Sequence, residues 1–201
     1  GTDTEQEVLS VVREVASVII PKSESGDSFW ADAARNEFIG LTLYEFCYNN
    51  NYEFIDICRS MQTIPLREHM ETALNTVKKT SLVAAFLTSL SATADETLFS
   101  VDITLNQALF IFLSDDIVYF LRDNPKRANP LMLDIEGVSQ YICVSEEKLD
   151  SGYDKIMCIV LKQTLMQIQS RTTTGSYCHT MLYIDEFQRC SESVTELRDC
   201  T

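Results

Sequence analysis

Met181-Leu182-Tyr183-Ile184-Asp185-Glu186-Phe187 is a run of four apolar residues that ends abruptly in two adjacent carboxylates. A short apolar run of this kind reads as a buried strand, and the acids then sit at its carboxyl end, where open α/β sheets place their ligand chemistry. The stretch therefore reads as half of a nucleotide site. The other half should be a glycine-rich phosphate loop, yet the glycines are Gly1, Gly26, Gly40, Gly137, Gly152 and Gly175, no two of them close together.

Working outward, 201 residues with 45% hydrophobic and 23% charged content can bury a real core, as one domain or one domain with a sub-domain. The net charge of −14, from 30 acids against 16 bases, repels a phosphate backbone and an anionic membrane surface. Nucleic-acid binding through a broad basic face is thereby disfavoured, and Lys78-Lys79 and Lys126-Arg127 read as solvated surface pairs. Seven cysteines is an odd number, and several lie in apolar stripes, which suits buried reduced thiols better than a disulfide framework. Cys178, His179, Cys190 and Cys200 match no common zinc-ligand spacing. No signal peptide and no apolar run of membrane-spanning length is evident. A start at Gly-Thr-Asp suggests a piece of something longer.

From the amino terminus, Thr4 to Glu7 has the spacing of a capping box, and Val8, Val11, Val12, Val15 and Ile19 follow at helical spacing until Pro21. A second helix is expected from Asp27 or Ser28, with Trp30, Ala34, Phe38 and Leu41 on one stripe, running through Phe46 to Asn49-Asn50-Asn51. Short helices then follow on Phe54 to Met61, Leu66 to Val77, Leu82 to Leu90, Leu98 to Phe112 and Ile117 to Leu121, with a second capping-box spacing at Thr93 to Glu96. Their short connections predict antiparallel neighbours in a helical bundle.

After the Asn124-Pro125 and Asn129-Pro130 turns the character changes. Tyr141-Ile142-Cys143-Val144 reads as a short strand, and Tyr153 to Ile168 as a helix with an unbroken apolar face. With the strand at Met181 this makes strand, helix, strand, the βαβ unit of a parallel sheet.

At the end of such a strand Asp185 and Glu186 are placed as nucleoside-triphosphate hydrolases need them: an aspartate to hold Mg²⁺ through water and a glutamate to orient and polarise the attacking water. The bland alternative is a pair of acids solvated at a strand terminus. His69, flanked by Glu68 and Glu71, reads as a surface histidine. Phe29 and Trp30 continue into an apolar helical stripe and read as core anchors, not as a base-stacking platform.

The order of motifs adds a further reading. Gly26-Asp27-Ser28-Phe29-Trp30-Ala31-Asp32-Ala33-Ala34-Arg35 resembles the "D-x-F-W-x-x-A-A-R" helix of the type IV coupling proteins, the TraG/TraD-like ATPases of conjugation and type IV secretion. The helical run after it resembles that family's all-α domain. Tyr141 to Val144, with the helix up to Gln167-x-x-x-Arg171, resembles the element before its Walker B motif, and Ile184-Asp185-Glu186-Phe187 resembles its "L-D-E-F". The glycine usual soon after that motif is absent from Gln188-Arg189-Cys190-Ser191.

What the resemblance implies is a helix-dominated α/β fold, with an all-α sub-domain (49–124) inserted in a partial RecA-like parallel-sheet domain (1–48 and 125–201) that lacks its phosphate loop. It implies Asp185 as the Walker B magnesium and nucleotide residue and Glu186 as the catalytic glutamate, with Mg-ATP the cofactor of the parent protein and no hydrolysis by this chain alone. It also implies a membrane-anchored homo-hexamer on the cytoplasmic side of the bacterial inner membrane. Its partners would be a relaxase or effector proteins, single-stranded DNA and components of the secretion channel. The acidic charge favours a protein partner for the all-α domain. The competing reading is a helical protein-interaction module with no nucleotide-related role.

Overall fold

Pro21 ends the first helix where the periodicity predicts. In the computed structural model, which describes residues 2–21, 28–122, 135–171 and 180–185, helix α1 spans Thr2–Ile19. The chain divides into two compact units, Gly1–Asp123 and Asn124–Thr201. In the first, α2 (Ser28–Cys47), α3 (Phe54–Thr63), α4 (Leu66–Thr76), α5 (Leu82–Ser91), α6 (Asp95–Leu109) and α7 (Asp115–Leu121) follow in order. A short 3₁₀ turn, Phe110–Leu113, links the last two.

Helix α2 is the axis of this unit and packs against α1, α3, α4, α5 and α6. Every residue from Glu37 to Glu45 on it is buried, because a helix that is apolar nearly all round has to be covered on every side. Gly40 makes the approach to α5 possible: a Cβ there would lie 2.5 Å from Cδ2 of the fully buried Leu87. The buried face of α1 holds Glu5, Leu9, Val12, Val15, Ala16, Val18 and Ile19; of the expected stripe Val12, Val15 and Ile19 are buried and Val8 is half-buried, while Val11 is exposed.

Neither capping box forms. Thr4 lies inside α1, and the Thr93 hydroxyl donates to the Leu90 carbonyl of the preceding helix, leaving Ala94 as the N-cap of α6. A side-chain cap does form at Ser81 on α5, whose hydroxyl accepts from the Ala84 amide at 3.1 Å. Phe29 is also a correction, since it is 54% exposed while Trp30 beside it is half-buried; the first turn of α2 extends past the helices that cover its middle.

In the second unit α8 (Glu146–Lys148) runs through a wide turn, Leu149–Tyr153, into α9 (Asp154–Ser170), with Gly152 supplying the positive φ of 91° at the kink. Ile156, Cys158, Ile159, Val160 and Thr164 are buried on α9.

The expected parallel sheet is overturned: among the described residues there is no strand, and the fold is helical. Tyr141 to Val144 and Met181 to Ile184 have no ladder hydrogen bonds, and Tyr141, Met181 and Tyr183 are 86%, 73% and 88% exposed. The α/β reading, with a partial RecA-like domain, therefore gives way to a helix-only architecture among these residues. A short apolar run is compatible with a buried strand, but a strand exists only where a neighbour accepts and donates along its edge.

The continuous helical stretch Asp95–Leu113, 19 residues, is long and apolar enough to cross a membrane by length and composition, which the sequence reading had not found. Leu98, Val101, Leu105, Leu109 and Phe112 along it are buried in the bundle.

Candidate functional site

Asp185 lies in a bend at the end of the extended stretch 180–184, and its side chain is exposed. Glu186, Phe187, Cys178, His179, Cys190 and Cys200 lie outside the described residues, as do Asp27, Pro125 and Lys126-Arg127. The approach to Asp185 is anchored from α9: Arg171, the last residue of the Gln167-x-x-x-Arg171 motif, donates through Nη1 to the Thr180 hydroxyl at 2.6 Å. One exposed carboxylate supplies the hard oxygen donor that Mg²⁺ takes, a cation that keeps several waters and needs few protein ligands. No group of three metal-ligating side chains occurs among the described residues.

The Phe29-Trp30 motif has a clear structural use. Ala33 and Ala34 are buried, and the small side chains let α2 come close to its neighbours. Arg35 turns back on α1, donating from Nε at 3.1 Å and Nη2 at 2.7 Å to the Ile20 carbonyl while Nη1 pairs with Asp32 at 2.7 Å. A guanidinium fork thus satisfies a carbonyl just past the end of α1, where helices leave carbonyls unpaired. Arg35→Lys keeps the charge but loses the two-pronged contact, and is expected to cost about 1 kcal/mol in chemical unfolding.

The densest polar chemistry is inside the first unit, and the sequence reading missed it. His69 is buried, not on the surface: it shares the stripe of Leu66, Met70 and Ala73 that faces the core. Its Nε2 lies 2.8 Å from Glu45 Oε1, and Asn49 and Asn51 donate to Oε2 at 2.9 and 3.3 Å. Burial pushes the Glu45 carboxyl up, but the hydrogen bonds of His69, Asn49 and Asn51 and the charge of His69 outweigh it and hold the group below its ordinary value. Close by, just past the same end of α2, Glu5 accepts from the Tyr48 hydroxyl at 2.6 Å and from the Leu82 amide at 3.0 Å, satisfying a free donor at the start of α5.

Glu37 differs from both. It is 1% exposed, and neither carboxyl oxygen has a hydrogen-bond partner among the described residues. Burial first, and the charge of Asp102 on α6 second, push its carboxyl well above the ordinary value.

Of the cysteines, Cys58 and Cys158 are buried, Cys47 is half-buried and Cys143 exposed. Burial raises the Cys47 and Cys58 thiols, which makes them poor nucleophiles.

The chain matches the family model described as type IV secretory system conjugative DNA transfer over residues 1–192. No curated protein and no solved structure is significantly similar. The match covers the motif helix, the bundle, α9 and both acids, and the chain belongs to the type IV secretory system conjugative DNA transfer family.

Proposed function

We propose that this chain is the partner-recognition part of an ATP-driven coupling protein, and that Asp185 and Glu186 are its contribution to a magnesium–nucleotide site. The observation that carries the reading is a family match that continues through both acids instead of stopping at the bundle. In this reading Asp185 holds the hydrated magnesium ion and Glu186 orients the attacking water. The parent is a membrane-associated hexamer, and the helical unit, Gly1–Asp123, receives a relaxase or another protein cargo.

The expected result in the intact parent protein is that Glu186→Gln retains nucleotide binding and abolishes both turnover and DNA transfer. Undiminished hydrolysis would remove Glu186 from that role. For recognition, the chain is titrated against relaxase and against single-stranded DNA. The net charge of −14 predicts relaxase binding without salt-sensitive DNA binding.

The second reading, an interaction module with no nucleotide role, is favoured by the exposure of Met181, Leu182 and Tyr183 before Asp185. It predicts wild-type turnover in the Glu186→Gln parent and relaxase binding unchanged by nucleotide.

A further inference from the structure

The covered face of α9 leads to Arg171. Ile156, Val160 and Thr164 are buried and Ile168 is half-buried, and steps of four, four, four and three residues run from Ile156 to Arg171, so the five share one face of the helix. The helix stops there: the Arg171 amide donates to the Ile168 carbonyl at 3.3 Å, and a ψ of 85° takes the backbone out of the helical region. The guanidinium is thus carried on the packed side of α9, and from there its Nη1 donates to the Thr180 hydroxyl at 2.6 Å. Arginine offers donors only, so the direction of this bond is fixed, and its charge strengthens it.

Thr180 opens the stretch that leads to Asp185. Met181, Leu182 and Tyr183 after it are exposed and Ile184 is half-buried. No ladder hydrogen bond sets the register of this stretch among the described residues. Its path is set instead at its two ends, by the hydrogen bond of Thr180 to the end of α9 and by the partial cover of Ile184 beside Asp185. The five residue steps from Thr180 to Asp185 span at most about 18 Å. A shift at Thr180 therefore reaches the acids, where a misplacement of about 1 Å costs on the order of a hundredfold in rate.

We propose that Arg171 is a positioning residue for the acids: its hydrogen bond to Thr180 fixes the path of 180–184, so that Asp185 and Glu186 stand where the magnesium ion and the attacking water need them. Arg171 acts through Thr180, not on the nucleotide. The proposal rests on the reading of Asp185 and Glu186 as a magnesium–nucleotide pair, and adds to that site the residue that sets their place. A contact of Asp185 with magnesium through water tolerates a small shift, whereas the alignment of the attacking water by Glu186 does not, so the loss should fall on kcat.

The test compares three single variants and one double variant in the intact parent protein. Thr180→Val keeps the shape and removes the hydroxyl, Arg171→Met removes the donors, and Thr180→Ser keeps the acceptor. In steady-state ATP hydrolysis kcat should fall about tenfold or more in the valine and methionine variants, with KM for MgATP within about twofold of wild type. Thr180→Ser should retain the wild-type kcat. Arg171→Met/Thr180→Val should lose no more than the worse single variant, because both substitutions remove the same bond. In the 201-residue chain the δ-methyl NMR signal of Ile184, assigned through Ile184→Val, follows the contact without nucleotide. It should move toward its position in the unfolded chain in the valine and methionine variants and stay in place in Thr180→Ser.

Wild-type kcat in the valine or methionine variant, a serine variant as slow as the valine one, or a double variant that loses the product of the two single losses overturns the proposal. So does a methyl signal that moves while kcat does not, which would make the contact a fastening without effect on the acids. The reading beneath it fails separately. Undiminished turnover in Glu186→Gln removes the acids from the chemistry, and Arg171 from this role with them. Lost turnover in Glu186→Gln beside wild-type turnover in Thr180→Val leaves the acids in their role and removes only Arg171.

Discussion

His69→Ala should lower the stability of the helical unit by about 3 kcal/mol, a large part of what a domain of this size has in reserve. The loss does not come mainly from missing contacts. Truncating the imidazole leaves Glu45 Oε1 without its donor in a site where water does not reach, while Asn49 and Asn51 still hold Oε2 and prevent the carboxylate from turning out to solvent. Urea unfolding followed by the fluorescence of Trp30, the single tryptophan, reports this unit without interference from the second. A loss under about 1 kcal/mol would mean that the pair is not the fastening between α2 and α4.

The pH dependence has a defined sign. The Glu45 carboxyl is held below its ordinary value, so the stability it contributes is complete above the unfolded value of 4.5 and disappears as pH falls through the lower folded value. Because His69 supplies part of that depression, the alanine variant should show a shallower acid loss.

Glu37→Met works in the opposite direction and should stabilise the unit at neutral pH by about 1–3 kcal/mol. Wild type carries there a fully buried carboxyl with no hydrogen-bond partner among the described residues, raised by burial and then by Asp102. Above the unfolded value of 4.5 the unfolded chain ionises while the folded protein keeps its proton, so stability falls with rising pH until the folded value is passed. Methionine removes both the unpaired oxygens and that slope. Melts at several pH values should show wild type approaching the variant near pH 4.5 and falling behind it toward neutral pH. A variant destabilised at every pH would mean that the carboxyl has a partner that methionine cannot replace. Two glutamates on one helix thus have opposite effects because one is met by donors and the other by apolar side chains and a like charge.

The glutamate results show where sequence legibility stops. Every helix of the first unit was readable from periodicity with Pro21 and Pro65 as boundaries, since a 3.6-residue repeat of apolar side chains is a local property. The motif order Phe29-Trp30 to Asp185-Glu186 was readable as a family resemblance, and the family match agrees. Even the buried position of His69 had a local signal, its place between Leu66 and Ala73, obscured by the charged residues on either side.

Pairing and burial were decided elsewhere. Whether Met181 to Ile184 forms a strand depends on a second strand presenting its edge, and among the described residues none does. Whether Glu37 and Glu45 are partnered depends on what α4 and α6 bring to the faces of α2, which no spacing along α2 records. The sequence by itself determined the helices, the acidic charge and the family, because each follows from residue order and composition. Only the tertiary structure decided which carboxylates are partnered and which apolar stripe of α6 is left exposed, because those outcomes depend on neighbours distant in the chain.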